Sequence, residues 1–190
     1  MSDFPKEAKV VIIGGGAVGA SSLYHLAKAG WTDCVLLEKN ELTAGSTWHA
    51  AGNVPTFSTS WSIMNMQRYS TELYARLGEE VDYPINYHQT GSLRLAHSEE
   101  RLQEFKRAAS MGKYQGMDIE ILTPEEAKSL YPFLEIHDLA GALYDPNDGD
   151  IDPAQLTQAL AKGARDLGAK ILRFTPASGV TQKNDKTWTV

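Results

Sequence analysis

Short apolar runs alternate along this chain with stretches in which apolar residues recur every third or fourth position. The first run, Val10-Val11-Ile12-Ile13, is uniformly apolar, as a strand covered on both faces must be. After a glycine cluster, Ala20, Leu23, Leu26 and Ala27 share one face of a predicted helix that Gly30 ends. Val35-Leu36-Leu37 reads as a second buried strand, so residues 9–39 form a β-α-β unit. Residues 40–58 are small and polar without a period and read as a loop holding a short helical turn. Over 60–78, Ile63, Met66, Tyr69, Leu73, Tyr74 and Leu77 keep helical spacing, with Gly78 as the stop.

The pattern then changes. Ile85-Asn86-Tyr87-His88 and Ser92-Leu93-Arg94-Leu95-Ala96 are strand candidates, and Thr90-Gly91 between them resembles a hairpin turn. Ser98 caps a helix that carries Glu99, Glu100 and Arg101 in its first turn and Leu102, Phe105 and Ala109 inside. Asp118–Leu122 reads as a strand, Thr123-Pro124-Glu125-Glu126 as a helix start, and Gly141–Tyr144 as another strand. Asp152-Pro153 opens a helix lined by Leu156, Leu160, Ala164 and Leu167 and stopped at Gly168, and Ala169–Phe174 follows as a third parallel strand. Val180-Thr181-Gln182 and Thr187–Val190 read as paired strands around the turn 183–186. The expected architecture is α/β. Residues 1–78 and 151–190 form a Rossmann-like part, a parallel sheet with helices, and 79–150 an inserted antiparallel α+β lobe. Such folds usually have more parallel strands than three, and the last strand runs to Val190, so the chain is expected to be the N-terminal portion of a longer protein.

The glycine cluster carries the clearest chemistry. Gly14-Gly15-Gly16-Ala17-Val18-Gly19 joins the first strand to the first helix. Amide N–H groups at such a turn, backed by the positive end of a helix dipole, seat a pyrophosphate. The second strand ends on Glu38, roughly two dozen residues later, where these folds place the acid that holds a ribose hydroxyl. Dinucleotide binding follows from that combination.

Composition narrows the partners. Over 190 residues the apolar fraction is 42% and the charged fraction 22%, enough for a packed core in a soluble chain. A net charge of −6 without any lysine or arginine cluster argues against nucleic acid and anionic membrane surfaces. No apolar run approaches the ~20 residues of a membrane span. Met1-Ser2-Asp3-Phe4-Pro5 lacks a leader pattern, so a cytoplasmic location is expected, or the mitochondrial matrix for a eukaryotic chain. The single cysteine, Cys34, reads as a small buried residue rather than a nucleophile. The acidic stretch Asp145–Asp152 reads as a turn and helix cap, not a metal loop, and no metal is expected.

After Glu38 and Lys39 comes Glu41-Leu42-Thr43-Ala44-Gly45-Ser46-Thr47-Trp48-His49-Ala50-Ala51-Gly52-Asn53. Gly45, Ala51 and Gly52 let backbone approach a ligand closely, Ser46 and Thr47 offer hydroxyls, and His49 offers a nucleophilic ring nitrogen. This segment, with Gly91–Ala96, Gly141–Pro146 and Asp148–Pro153, closely resembles the dimethylglycine and sarcosine dehydrogenases of the flavin-dependent amine oxidoreductase family. The resemblance spans nearly the whole chain. It implies FAD as cofactor, joined through a ring nitrogen of His49 to the flavin 8α carbon. It implies Gly14, Gly16, Ala17, Val18 and Gly19 at the pyrophosphate, Glu38 at the adenosine ribose with Lys39 beside it, and residues 45–53 around the flavin. It implies an adenine contact from the backbone of Ala177, which follows Thr175-Pro176.

The implied reaction is oxidative demethylation of an N-methylated amino acid. A hydride leaves the N-methyl carbon for the flavin, and the resulting iminium hydrolyses to formaldehyde. Folate enters only where the full-length protein has a C-terminal folate module, and the electron acceptor is oxygen or an electron-transfer flavoprotein. The alternative is a non-catalytic regulatory subunit on the same scaffold, as in a mitochondrial dehydrogenase phosphatase; a nicotinamide enzyme is disfavoured by the 45–52 segment. Residues 1–78 and 151–190 become the FAD-binding domain and 79–150 the start of a substrate-binding lobe. Catalytic side chains are not assigned. Arg68 reads as a solvated or salt-bridged face residue, and Tyr87, His88 and Arg94 as ordinary strand residues. With pocket walls missing, these residues alone are expected to hold flavin poorly.

Overall fold

A computed structural model describes residues 4–58 and 60–190; the reading of Met1–Asp3 as lacking a leader lies outside the described residues. Along the chain run β1 (Val10–Ile13), α1 (Ala17–Lys28), β2 (Cys34–Leu37), a 3-10 turn (Ser46–His49), β3 (Asn53–Val54), α2 (Trp61–Glu80), β4 (Tyr87–His88), β5 (Ser92–Ala96) and α3 (Glu99–Tyr114). There follow β6 (Glu120–Leu122), α4 (Pro124–Leu130), β7 (Gly141–Asp145), β8 (Gly149–Ile151), α5 (Pro153–Asp166), β9 (Lys170–Leu172), β10 (Thr181–Gln182) and β11 (Trp188–Thr189). Two units emerge. One takes the chain up to Gly52, Arg76–Asn86 and Asp152–Val190; the other takes Asn53–Ala75 and Tyr87–Ile151.

In the first unit a parallel sheet has the order β1-β2-β9, with Val10 opposite Cys34 and Leu36 opposite Ile171. The central strand β2 is buried throughout, which explains its unbroken apolar run, and Cys34 is one of its buried residues. Helices α1 and α5 pack together. The buried face of α1 is Ala20, Leu23, Tyr24 and Ala27; Leu26 is only half-buried. The face of α5 is built largely of small residues, and a Cβ at Gly163 would lie 2.7 Å from Val81 and 2.8 Å from the Tyr24 ring. Leu167, expected inside, is 43% exposed because α5 ends at Asp166. Asp152 caps α5 through hydrogen bonds from the Ala154 and Gln155 amides, as the helix-cap reading of that acidic stretch expects. Strands β10 and β11 pair antiparallel around the 183–186 turn.

Gly78 does not stop α2, which runs on to Glu80. A Cβ there would press on the Tyr83 carbonyl at 3.1 Å and Ile85 at 3.4 Å, so this glycine serves close packing rather than termination. Just beyond it Glu80 accepts hydrogen bonds from Lys28 Nζ (2.8 Å), Tyr24 Oη (2.9 Å) and Arg76 Nε (2.7 Å). The bonds from Lys28 and then Tyr24 hold the Glu80 carboxyl down at about 2. A lowered folded-state pKa contributes stability above the ordinary glutamate value of 4.5 and loses it as pH falls toward about 2. Glu80→Gln is therefore expected to destabilise by about 1 kcal/mol at pH 7, the pair being partly exposed. The gap to wild type should close in urea titrations near pH 2, and a gap independent of pH would refute the assignment.

In the second unit the sheets are antiparallel, ordered β3-β8-β4 and β5-β7-β6. Phe57, Met64, Ala96, Leu102, Phe105, Ala109, Met117, Ile119 and Leu143 form its core. Ser98 caps α3 by accepting from the Arg101 amide, and Thr123 with Glu126 closes a capping box on α4. The expected Thr90-Gly91 hairpin is not formed. β4 pairs with β8 and β5 with β7, so the turn carries the chain from one sheet to the next. Gly91 makes that passage at φ +75°, its amide bonded to the Asp148 carbonyl at 2.8 Å. Beneath it Asp145 and Asp148 are buried around Thr56. Among the described residues no helix is long and apolar enough to cross a membrane.

Candidate functional site

The end of β1 and the start of α1 border a cleft of about 550 Å3. Gly14 turns the chain there at φ +111°, and a Cβ on it would meet nothing within 4 Å, so the turn is open toward the cleft. Gly19, one helical turn along, is the opposite case. A Cβ there would fall on the Gly14 carbonyl oxygen, so only glycine lets α1 begin this close to the turn. At Gly15 a Cβ would meet Leu42 at 2.6 Å and Glu38 at 3.0 Å.

Glu38 is held in place by the protein's own backbone. Its Oε2 accepts from the Gly15 amide at 2.7 Å and its Oε1 from the Asn40 amide at 2.8 Å. Each carboxylate oxygen keeps a further lone pair, enough for the two hydroxyls of a ribose diol. At the helix start the Ala17 amide donates to Thr47 Oγ1 at 3.0 Å. That hydroxyl sits on the N-terminus of α1, where a phosphate oxygen would be favoured, and it can itself donate a proton to one.

The cleft thus gathers Gly14, Gly16, Ala17, Val18, Gly19, Glu38, Lys39, Gly45, Ser46 and Thr47. It also takes in Gly15 of the glycine cluster, and Ile12, Ile13, Ser22, Asn40 and Ala44, to which sequence reasoning gave no site role. The Asn40 amide was legible in principle, since it lies two residues after the carboxylate that accepts from it; the Gly15 amide, 23 residues away, is brought to Glu38 by the fold. Val18 is 82% exposed and Ile13 54%, apolar surface left bare at the cleft.

Trp48, His49, Ala50, Ala51 and Gly52 do not line this cleft. His49 lies exposed at the end of the 3-10 turn, its ring 4.3 Å from that of Trp48. Its Nδ1 is 3.0 Å from the Gly45 carbonyl. A carbonyl only accepts, so Nδ1 carries the proton and Nε2 keeps the lone pair. Asn53 opens β3 in the second unit. Ala177 is half-buried in the loop after β9, and Thr175 ties that loop to the Glu38 carbonyl at 2.8 Å. The residues present fit a dinucleotide: an open glycine turn at a helix start, a pre-set carboxylate at the next strand end, and a hydroxyl at the first amides of the helix.

In the second unit Arg94 lies 3.8 Å from Asp148, and His88 pairs with Asp150 at 3.1 Å on the surface. Among the described residues Arg68 forms no salt bridge, and part of its side chain stays in solvent. It is half-buried, with Nη1 3.3 Å from the Gln115 carbonyl.

The FAD dependent oxidoreductase (DAO) family matches residues 9–190. The mitochondrial dimethylglycine dehydrogenase of Rattus norvegicus is 44% identical over 188 residues, which is 99% of this chain and 22% of that protein. The mitochondrial sarcosine dehydrogenase of Homo sapiens is 39% identical over 186 residues, 97% of this chain and 20% of that protein. Among solved structures, the L-proline dehydrogenase from P. horikoshii superposes with a TM-score of 0.89 at 32% identity, over 96% of this chain and 48% of that one. The chain spans about a fifth of the length of these curated relatives.

Proposed function

The chain belongs to the FAD dependent oxidoreductase family, and on that premise we propose that it forms the flavin-binding part of an enzyme that oxidatively demethylates an N-methylated amino acid of the dimethylglycine or sarcosine kind. The observation that carries the reading is Glu38, fixed by the Gly15 and Asn40 amides beside the open Gly14 turn. When bound, the flavin supplies the acceptor for a hydride from the substrate's N-methyl carbon.

The chain's own residues do the holding. Gly14, Gly16 and the amides of Ala17 and Val18 at the start of α1 receive the pyrophosphate, and Gly19 keeps them close. Thr47 moves from acceptor of the Ala17 amide to donor toward a phosphate oxygen. Glu38 receives the ribose diol, Lys39 balances charge at the rim, and the Ala177 backbone meets the adenine. Residues Gly45 to Asn53 wrap the flavin side, with Trp48, Ala50, Ala51 and Gly52 flanking His49. His49 anchors the flavin covalently through Nε2, the nitrogen whose lone pair the Gly45 contact leaves available. The first unit is then the FAD-binding domain and the antiparallel unit the start of the substrate lobe. The dimethylglycine and sarcosine dehydrogenases named above are mitochondrial, and a matrix location for a eukaryotic chain belongs to the same reading.

The test uses the full-length protein. Wild type is expected to purify yellow, to keep flavin fluorescence on a denaturing gel, and to bleach under anaerobic dimethylglycine or sarcosine. His49→Ala is expected to lose the gel fluorescence while retaining dissociable flavin. A colourless wild type, inert toward both amines, would sink the enzyme reading in favour of a regulatory subunit.

A further inference from the structure

Thr43 stands out by its backbone. Four non-glycine residues among those described adopt positive φ, and Thr43, at +72°, is the only β-branched one. This conformation crowds the side chain against a neighbouring carbonyl, so it persists only where the surrounding contacts impose it.

Those contacts lie on both sides of it. Leu42 is buried, and Gly15 lies so close that a Cβ there would meet Leu42 Cδ2 at 2.6 Å. The Ala44 amide donates to the Glu41 carbonyl at 3.3 Å. Thr43 gives its own amide to the Gly15 carbonyl at 3.0 Å, and its carbonyl accepts from the Trp48 amide at 3.4 Å. By turning left-handed, one residue reaches the glycine turn with its N–H and the 3-10 turn with its C=O.

The consequence falls on Gly16. The peptide between Gly15 and Gly16 is trans, so its C=O and N–H point in opposite directions. With the carbonyl turned to Thr43, the Gly16 N–H faces away from the 41–43 loop. The peptide before Gly15 is fixed as well, its N–H on Glu38 Oε2 at 2.7 Å. Without Thr43 the peptide between two glycines is free to flip, and a carbonyl oxygen would then stand where the N–H stood and repel a phosphate. We propose that Thr43 is a positioning residue for the dinucleotide: it locks the Gly15–Gly16 peptide with its N–H toward the pyrophosphate and, through Trp48, holds the His49 turn in register with it. The identity of the guest rests on the flavin reading; the lock itself belongs to the free protein.

The test uses the full-length His49→Ala protein stripped of dissociable flavin, so that amide hydrogen exchange reads the lock before FAD is titrated. Thr43→Pro removes the donor and fixes φ at about −65°. Ala44→Pro keeps the donor but drives Thr43 toward extended backbone, and it decides the matter if Thr43→Pro does not fold. Thr43→Gly accepts the left-handed turn. Both proline variants are expected to exchange the Gly15, Ala17 and Trp48 amides about 10-fold faster and to bind FAD about 10-fold more weakly. Thr43→Gly is expected to stay within about 3-fold of its parent on both counts, a rescue that ties the effect to the backbone. A wild-type protein that takes up no flavin would sink the flavin reading, and exchange in the flavin-free protein would still judge the lock. Unchanged exchange in the proline variants, faster exchange with FAD affinity intact, or a Thr43→Gly protein as impaired as Thr43→Pro would overturn the assignment of Thr43.

Discussion

Gly19→Ala is expected to empty the flavin site. The new methyl would fall on the Gly14 carbonyl oxygen and lie 3.4 Å from Ile12 Cγ2, and both belong to backbone or packed strand that cannot swing aside. The first turn of α1 must therefore lift off the glycine turn. Overpacking of this kind costs roughly 1–3 kcal/mol of stability. The larger loss is in binding, since the amides of Ala17 and Val18 move with the helix start. Forfeiting two charge-assisted hydrogen bonds at about 1.5 kcal/mol each lowers affinity about 100-fold. Flavin content of the purified full-length variant, read from its absorbance, checks this. Gly179→Ala is the control, because nothing lies within 4 Å of its added methyl. A Gly19→Ala protein with a full complement of flavin would show that α1 does not seat the pyrophosphate.

That expectation was largely readable from the chain, and the reason is locality. The apolar run of β1, the glycines and Glu38 at the end of β2 report on one another within a single β-α-β unit, where backbone reach fixes who meets whom. The caps at Ser98, Thr123 and Asp152 were readable for the same reason, each satisfying amides two or three residues away. What failed was partner choice over distance. Thr90-Gly91 has the composition of a hairpin turn, yet β5 finds β7 and β4 finds β8, because the Asp148 carbonyl captures the Gly91 amide from far along the chain. Gly78 looked like a helix stop because nothing local shows that Tyr83 and Ile85 press against it. The contact of Arg68 with the Gln115 carbonyl was invisible too, because helical spacing does not reveal which segment packs beside α2. Within the cleft, the pairing of Thr47 with the Ala17 amide was invisible for the same reason: the two are joined by the fold, not by spacing.

The second large effect is expected at Asp145, which is fully buried with Asp148 around one hydroxyl. Thr56 Oγ1 lies 2.7 Å from Asp145 Oδ2 and 2.9 Å from Asp148 Oδ1, but a hydroxyl has a single proton to give. Asp148 collects the other donors: the Thr56 amide, the Ser92 hydroxyl at 2.6 Å, and Arg94 at 3.8 Å. Asp145 is left with Asn147, whose backbone amide donates at 3.0 Å and side-chain amide at 3.4 Å, and burial pushes its carboxyl above the usual aspartate range. A protonated Asp145 can donate to Thr56 Oγ1 while Thr56 donates to Asp148, which satisfies the whole set. The sign of the pH dependence follows. An acid raised in the folded state contributes stability that is complete below its unfolded value, near 3.9, and is lost as pH rises through the folded value. Asp145→Asn keeps the shape and supplies a permanent donor, so it is expected to flatten that decline and to match or exceed wild type at pH 7. Asp145→Ala strips the Asn147 amide and the Thr56 hydroxyl of a partner and opens a void, a loss of about 3 kcal/mol. Urea midpoints of the three proteins between pH 4 and pH 8 decide the matter. If Asp145→Asn is as damaging as Asp145→Ala at pH 7, the buried pair is ionised at both carboxyls and the shared-proton arrangement is wrong.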